Sequence, residues 1–250
     1  MLKVSIITVC FNSASTIRDT INSVINQTYP NIEYIIIDGN SKDDTYQIVK
    51  SYGTKISIHK SEPDKGIYDG LNKGISLASG DIIGMLHADD FYANSTVIEQ
   101  VVALFENSDT DSLYSDLDYV DPENTSKIIR HWVSGKYKAG KFLFGWMPPH
   151  PTFFVKRFIY NQLGLFNLEL KSAADYELML RYIHKNNIKT VYLPLVTVKM
   201  RAGGMSNKSL SNRIRANNED RKAWELNGLK PYFFTLYLKP IRKIFQYILK

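Results

Sequence analysis

With 250 residues, 44% hydrophobic and 22% charged, the chain is long and apolar enough to bury a substantial core, which excludes wholesale disorder. Its single cysteine, Cys10, excludes an intrachain disulfide and favours a reducing compartment. The net charge of +6 resides in residues 221–250, where seven basic side chains face only Glu225; such a tail calls for an anionic partner, a membrane or a nucleic acid.

In chain order, Val4–Cys10 and Ile32–Asp38 are continuous β-branched apolar runs, the pattern of parallel strands covered on both faces. Cys10 reads as a small apolar filler in the first of them. Between them, Ile17, Ile21, Val24 and Ile25 recur at helical spacing across 14–26, completing a βαβ unit. A helix over 43–51 with Ser41 as N-cap, a strand over 55–59, a helix over 68–78 ended by Gly80, a strand over 81–86 and a helix over 94–106 follow. Strands are then predicted at 113–120 and 127–133 around Asp121-Pro122, and at 152–156. A helix over 174–184, strands at 190–193 and 196–200, and a helix over 211–227 complete the chain.

This alternation predicts an α/β fold with a mostly parallel central sheet flanked by helices, a mixed second half and a helical basic tail. Residues 1–111 would form one half, 112–210 the other half of the same domain, and 211–250 the tail. No run is apolar for long enough to cross a bilayer, and the N-terminus lacks a secretory cleavage pattern, so a cytoplasmic protein is expected.

Ligands of open parallel sheets collect at the carboxyl ends of the strands. Here those ends carry Thr8 to Ser13, Asp38-Gly39-Asn40 and His87-Ala-Asp-Asp90. Acids gathered at one sheet edge repel unless donors or a cation balance them, and a hard divalent metal with phosphate oxygens does so. Any one such Asp is also a common cap or turn residue. No dinucleotide glycine fingerprint, P-loop, zinc motif or nucleophile elbow is present.

Four ordered segments resemble the motifs of family 2 glycosyltransferases. They are Val4-Ser-Ile-Ile-Thr-Val-Cys-Phe-Asn-Ser13, Ile35-Ile-Ile-Asp-Gly-Asn-Ser-Lys-Asp-Asp-Thr45, Glu62-Pro-Asp-Lys-Gly-Ile-Tyr-Asp-Gly-Leu-Asn-Lys-Gly74, and Gly80-Asp81 through His87-Ala-Asp-Asp90. The resemblance covers most of residues 1–200. It implies the GT-A fold, a nucleoside-diphosphate sugar donor, a divalent metal (Mn or Mg) and inversion at the anomeric carbon.

Residue by residue, the resemblance makes Asp38 the partner of the nucleobase, beside Thr8, Phe11 and Asn12 at the first strand end. It sets Asp64 and Asn72 along the nucleotide and donor sugar, Asp89 on the ribose or sugar, and Asp90 on the metal. His87 stands where the family's first Asp would be. In the second half, Ala174-Asp175 resembles the family's Glu-Asp motif with its Glu replaced, and Asp175 is the expected catalytic base, able to take the acceptor's hydroxyl proton. As a bare sequence feature it is also a plain helix cap. Arg201-Ala-Gly-Gly-Met-Ser206 resembles a loop that folds over the donor, with Arg201 or Ser206 reaching phosphate, or else a surface turn. His150 and Trp146 are candidates on the acceptor side, set against a strand-entry His and core aromatic packing.

In the tail, Ile241, Ile244, Phe245 and Ile248 form an apolar stripe beside Arg242, Lys243 and Lys250, the make-up of a helix lying in an anionic membrane interface; the alternative is a helix packed on the domain. The implied activity is non-processive transfer of one hexosyl or N-acetylhexosaminyl unit to a glycan or lipid-linked acceptor in cell-surface polysaccharide synthesis. Neither the Gln-x-x-Arg-Trp motif nor the spans of processive synthases are present. A sugar-1-phosphate nucleotidyltransferase and a non-catalytic nucleotide-sugar binder are the alternatives, and no nucleic acid partner is expected.

Overall fold

The computed structural model describes residues 1–203 and 210–248. Its strands and helices are β1 (Val4–Cys10), α1 (Ile17–Ile25), β2 (Ile32–Asp38), α2 (Thr45–Ser51), β3 (Ile58–Ser61), α3 (Ile67–Leu77), β4 (Ile82–Met85), β5 (Asp90–Tyr92), α4 (Val97–Asn107), β6 (Ser112–Val120), β7 (Ile128–Trp132), β8 (Phe154–Lys156), α5 (Arg157–Leu163), α6 (Ala174–Met179), β9 (Thr190–Arg201), α7 (Leu210–Leu226) and α8 (Thr235–Ile248). One sheet takes the order β3-β2-β1-β4-β8-β6-β9-β5, with β7 added on β6. The strands β3, β2, β1 and β4 run parallel, β8 opposes both β4 and β6, and β9 is again parallel to β6.

Alternation along β1 splits its side chains between two cores. Ile7 and Val9 join Leu71, Ile75, Trp146, Tyr176 and Trp224 on one face, while Val4, Ile6 and Cys10 join Ile17, Ile21, Tyr34 and Ile98 on the other. Helix α3 lies close on β1 because it turns Gly70 and Gly74 inward: a Cβ on Gly70 would sit 2.6 Å from Val9 Cγ1, and one on Gly74 2.4 Å from Ile7 Cγ2. The glycines of that sequence motif therefore serve helix-to-sheet packing.

Several expectations need correction. Ser41 does not cap α2, whose N-cap is Asp44; the Ser41 hydroxyl turns to Asp38 instead. The two strands expected at 190–193 and 196–200 are one strand, β9, in which Ser115 pairs with Leu193 and Asp116 with Val196. Pro194 and Leu195 bulge out between these pairs, since proline has no N–H for the ladder. The expected helix over 174–184 is α-helical only to Met179 and continues as a π-helix over Leu180–Lys185. The tail helix begins at Thr235, ahead of Pro240 rather than after it.

At the sheet edge away from the loops of interest, Glu33 is buried among donors. It accepts hydrogen bonds from Lys3 Nζ (2.8 Å), Ser5 Oγ (2.5 Å), Ser79 Oγ (2.6 Å) and Ser79 N (2.8 Å). Burial alone would raise its pKa, but the bonds from Lys3, Ser5 and Ser79 bring it down to about 2. A folded-state pKa below the unfolded value contributes stability that is present above the unfolded pKa and lost as pH falls towards 2. Glu33→Gln should therefore cost on the order of 2 kcal/mol at neutral pH. The gap between variant and parent should close as pH drops from 4.5 to about 2. Urea unfolding across that range checks this, and a gap that stays constant with pH would contradict it.

Candidate active site

The loops after β1 and β2 are stitched together. Asn12 N donates to Ser41 Oγ (2.8 Å), Lys42 N to Asn12 Oδ1 (2.8 Å), Ser13 N to Thr45 Oγ1 (2.7 Å) and Gly39 N to the Cys10 carbonyl (2.9 Å). Asn12 and Asn40 take positive φ values of 49° and 65°, the left-handed turn conformation that asparagine tolerates. Asp38, fully buried, holds this corner from beneath. Its Oδ1 accepts Ser41 Oγ–H (2.5 Å), and its Oδ2 accepts Ser61 Oγ–H (2.5 Å) and Ser41 N–H (3.1 Å). The Cys10 thiol lies 3.7 Å from Oδ1, and burial with the Asp38 charge pushes its pKa up, so it stays protonated.

Above this corner Phe11 is exposed, and Asp64 reaches in from the loop after β3. Asp64 Oδ1 accepts Gly66 N (2.9 Å), while its Oδ2 occupies the space a side chain on Gly39 would need, 2.6 Å from an added Cβ. Phe11, Asn12, Gly39 and Asp64 thus form one open cradle. Thr8 does not contribute a side chain to it: its hydroxyl faces the interior, 3.1 Å from the Tyr34 hydroxyl.

The loop after β4 brings His87, Asp89 and Asp90 to the same sheet edge. Asp89 is partly exposed. Asp90 is fully enclosed, and among the described residues neither carboxyl oxygen has a hydrogen-bond partner. Burial, then the Asp89 charge, drives its pKa well up. Of the two, Asp89 is the more accessible carboxylate and Asp90 the enclosed one, the reverse of what direct metal ligation by Asp90 would favour.

Arg201, at the end of β9, fixes this loop. One guanidinium nitrogen donates to the Asp89 carbonyl (2.8 Å), another pairs with the Asp19 carboxylate of α1, and the group lies 5.2 Å from the Phe91 ring. Buried in this way, Arg201 is a clamp on the Asp89 loop, neither the phosphate ligand nor the surface residue expected. Ser206 lies outside the described residues.

Asp175 stands in the first turn of α6 and is partly exposed. Tyr68, from α3, donates its hydroxyl proton to Asp175 Oδ1 at 3.1 Å. Burial and the Asp175 charge push the phenol's pKa well up, keeping it a donor at neutral pH. His87 is within electrostatic reach of both Asp89 and Asp175, and His150 of Asp175, and the two ring centroids are 5.7 Å apart. Burial lowers the pKa of both, to about 4 for His150, although the Asp175 charge acts on each in the opposite sense. Both imidazoles are neutral at physiological pH.

The remaining candidates are supports. Asn72 binds the backbone of Phe166 twice, from Nδ2 to the carbonyl and from the amide N–H to Oδ1, both at 3.0 Å. Phe166 stacks on Tyr68 and meets His150 edge-on, with centroids 5.5 Å away in each case. Asn72 therefore positions this wall rather than lining the donor. Trp146 is core: it is 3% exposed, its indole donates to the Ser134 carbonyl, and it packs against Tyr114 and Phe142. Phe166, Ser61 and Asp19 were missed from the sequence, where nothing in their spacing marks them out.

Among the described residues no group of three or more His, Cys, Asp or Glu side chains is gathered as a self-sufficient metal site. The donor set still suits a divalent cation that arrives with a diphosphate, which needs only one or two protein carboxylates because phosphate oxygens and water complete its shell. Asp89 meets that requirement.

A model of the family described as glycosyl transferase family 2 matches residues 5–164. Among relatives, a PGL/p-HBAD biosynthesis glycosyltransferase of Mycobacterium bovis is 29% identical over 208 residues, spanning 81% of this chain and 78% of its own. An uncharacterized glycosyltransferase of Mycobacterium tuberculosis is 32% identical over 180 residues, 71% of this chain and 68% of its own. Among solved structures, S. aureus TarS in complex with UDP-GlcNAc superposes with a TM-score of 0.68 at 19% identity, covering 90% of this chain and 65% of that one. Mannosyltransferase PcManGT from Pyrobaculum calidifontis, in complex with GDP-Man and Mn2+, gives 0.68 at 17% identity over 95% and 69%. These likenesses establish the GT-A fold.

The contrast between the neighbouring acids is directly measurable. Asp90→Asn replaces an enclosed carboxyl whose charged form burial disfavours, and should change stability by less than about 1 kcal/mol and leave nucleotide binding intact. Asp89→Asn should abolish the extra thermal stabilisation that Mn2+ gives with a nucleoside diphosphate. Loss of that stabilisation in the Asp90 variant alone would reverse the assignment.

Proposed function

Because the chain belongs to glycosyl transferase family 2, we propose that it transfers a single hexosyl or N-acetylhexosaminyl unit, with inversion, from a nucleoside-diphosphate sugar to a hydroxyl of a glycan or lipid-linked acceptor. The observation that carries this reading is the hydrogen bond from Tyr68 to Asp175, with His87 and His150 within electrostatic reach of that carboxylate and His87 also within reach of Asp89. It supports a donor bound at the cradle of Phe11, Asn12 and Asp64, with its diphosphate towards Asp89 and its sugar towards Asp175.

In this reading Tyr68 holds Asp175 Oδ1, which leaves Oδ2 to take the acceptor's hydroxyl proton. The acceptor oxygen attacks the anomeric carbon from the side opposite the diphosphate. The bond from that carbon to the diphosphate oxygen breaks with its electron pair, and the nucleoside diphosphate leaves. Asp175 then returns its proton to water. A divalent cation held at Asp89, when bound, supplies neutralisation of the diphosphate charge. The enclosed wall of Phe166, Tyr68 and His150 excludes water from the approach of the acceptor. Cell-surface polysaccharide synthesis, with the enzyme at the inner face of the membrane, is the setting proposed for a lipid-linked acceptor.

A thermal-shift panel of UDP, GDP, dTDP and CDP, each with and without Mn2+, tests the donor site. One diphosphate at a hundred times its Kd should add about 2.7 kcal/mol in the presence of the metal. Asp175→Asn should keep that shift while turnover of the matching sugar nucleotide falls by about 10²–10⁴-fold. Undiminished turnover in this variant would remove Asp175 from the base role, and no shift with any diphosphate would count against the donor site itself.

A further inference from the structure

The C-terminal helix is docked by one face and bare on the other. Thr235 Oγ1 donates to the Leu143 carbonyl (2.6 Å), Leu236 is buried, and a Cβ on Gly145 would come 2.5 Å from Lys239 N. Lys239 pairs with Asp220 of α7 at 2.7 Å and sits 3.8 Å from the ring of Tyr176, the residue after Asp175. The packed reading of the tail is met: α8 docks on the domain, and through Tyr176 it adjoins the helix that carries Asp175.

The opposite face is apolar and open. Phe233 is 87% exposed and Tyr237 62%, with Ile241 one turn further along α8. Phe144 and Tyr232 extend the patch, their ring centroids 6.2 Å apart. A tightly anchored helix that leaves these rings in water is not explained by its own packing. Lys141, one turn before Phe144, is half-buried with its Nζ on the Lys136 carbonyl at 2.8 Å, and the charges of the exposed Arg242 and Lys138 act on it. Among the described residues no acidic side chain forms an ion pair with any of the three.

We infer that this face, with Phe144, Phe233, Tyr237 and Ile241 as its apolar part and Lys138, Lys141 and Arg242 as its charged part, is a docking surface for a bilayer containing anionic lipid. Exposed cations alone would suit any polyanion. Aromatic rings that stand clear of the protein beside those cations suit the boundary between headgroups and acyl chains, where an apolar body and a neighbouring positive charge are both satisfied. The inference rests on the lipid-linked branch of the proposed function for its purpose, while its evidence is independent of the donor site. Docking here would hold α6 and its Asp175 at a constant distance from the membrane.

The test is co-sedimentation of the full chain with vesicles of equal parts phosphatidylcholine and phosphatidylglycerol, beside phosphatidylcholine vesicles and soluble long-chain polyphosphate. The parent should partition to the anionic vesicles. Phe233→Ser with Tyr237→Ser should reduce this at least about tenfold, and Lys138→Ser with Arg242→Ser about 30-fold on anionic vesicles only. Since these side chains are exposed, both variants should keep the parent's melting temperature and its diphosphate-induced shift. Failure of the parent to bind vesicles, equal binding by both variants, or binding to polyphosphate without vesicles would each overturn the inference. Vesicle binding without any diphosphate shift would leave it standing and count against the donor site instead.

Discussion

A carboxylate taken out of water must find donors or lose its charge, and this constraint organises the chain from one end of the sheet to the other. Asp38 shows the first outcome. Ser41 and Ser61 donate to it from the loop after β2 and the end of β3, so one buried acid ties two strand ends together, and Ser41 carries the link on to Asn12 after β1. The same solution recurs at Glu33 on the opposite edge. Asp116 lies between the two outcomes: the Tyr192 hydroxyl and the Ser134 amide both donate to it, yet burial still raises its pKa. Asp90 shows the opposite case: among the described residues no donor reaches it, and burial drives its pKa well up. Asp89 and Asp175, each partly exposed, are the acids left facing the cleft.

The two sides of the cleft are braced by different means. On the Asp89 side, Arg201 links α1, the loop after β4 and the end of β9, three segments remote in sequence. On the Asp175 side the bracing comes from helices: Trp224 Nε1 donates to the Tyr176 hydroxyl at 2.9 Å, and Asn227 and Arg181 both bind Glu177 at 3.0 Å. Arg181 also reaches the Leu165 carbonyl, next to Phe166. Asp175, Phe166 and Tyr68 therefore share supports, and a disturbance in α7 would be felt at the carboxylate rather than at the cradle.

Much of the first half was legible because its signals are local. The strands over Val4–Cys10 and Ile32–Asp38 are uninterrupted β-branched runs, and they form with those bounds. Short elements without such a signal, β5 and α5, were not visible: three residues carry no period, and Arg157–Leu163 sits against a strand end. The site residues divide similarly. Position after strand ends marked Asp38 and Asp89, and the family resemblance added Asp64 and Asp175, but neither says which way each side chain turns. Asn72 looks like a ligand until the Phe166 backbone claims both ends of its amide. Trp146 looks like a sugar platform until Ser134 takes its N–H. Such pairings join residues up to 94 positions apart and leave no periodic trace.

The basic tail shows why a segment's net charge is a poor description of a surface. The excess of positive charge in residues 221–250 is real, yet two of its lysines are neutralised within the protein: Lys239 by Asp220 and Lys222 by Glu169. Meanwhile Lys138 and Lys141, from a stretch that drew no attention as sequence, join Arg242 beside the exposed rings. The surface that matters is thus assembled from two distant segments, with Gly145 permitting their close approach, since any side chain there would collide with the backbone of α8. What the composition records as a charged tail is, in three dimensions, a partly neutralised brace for α6 with a mixed aromatic and basic outer face.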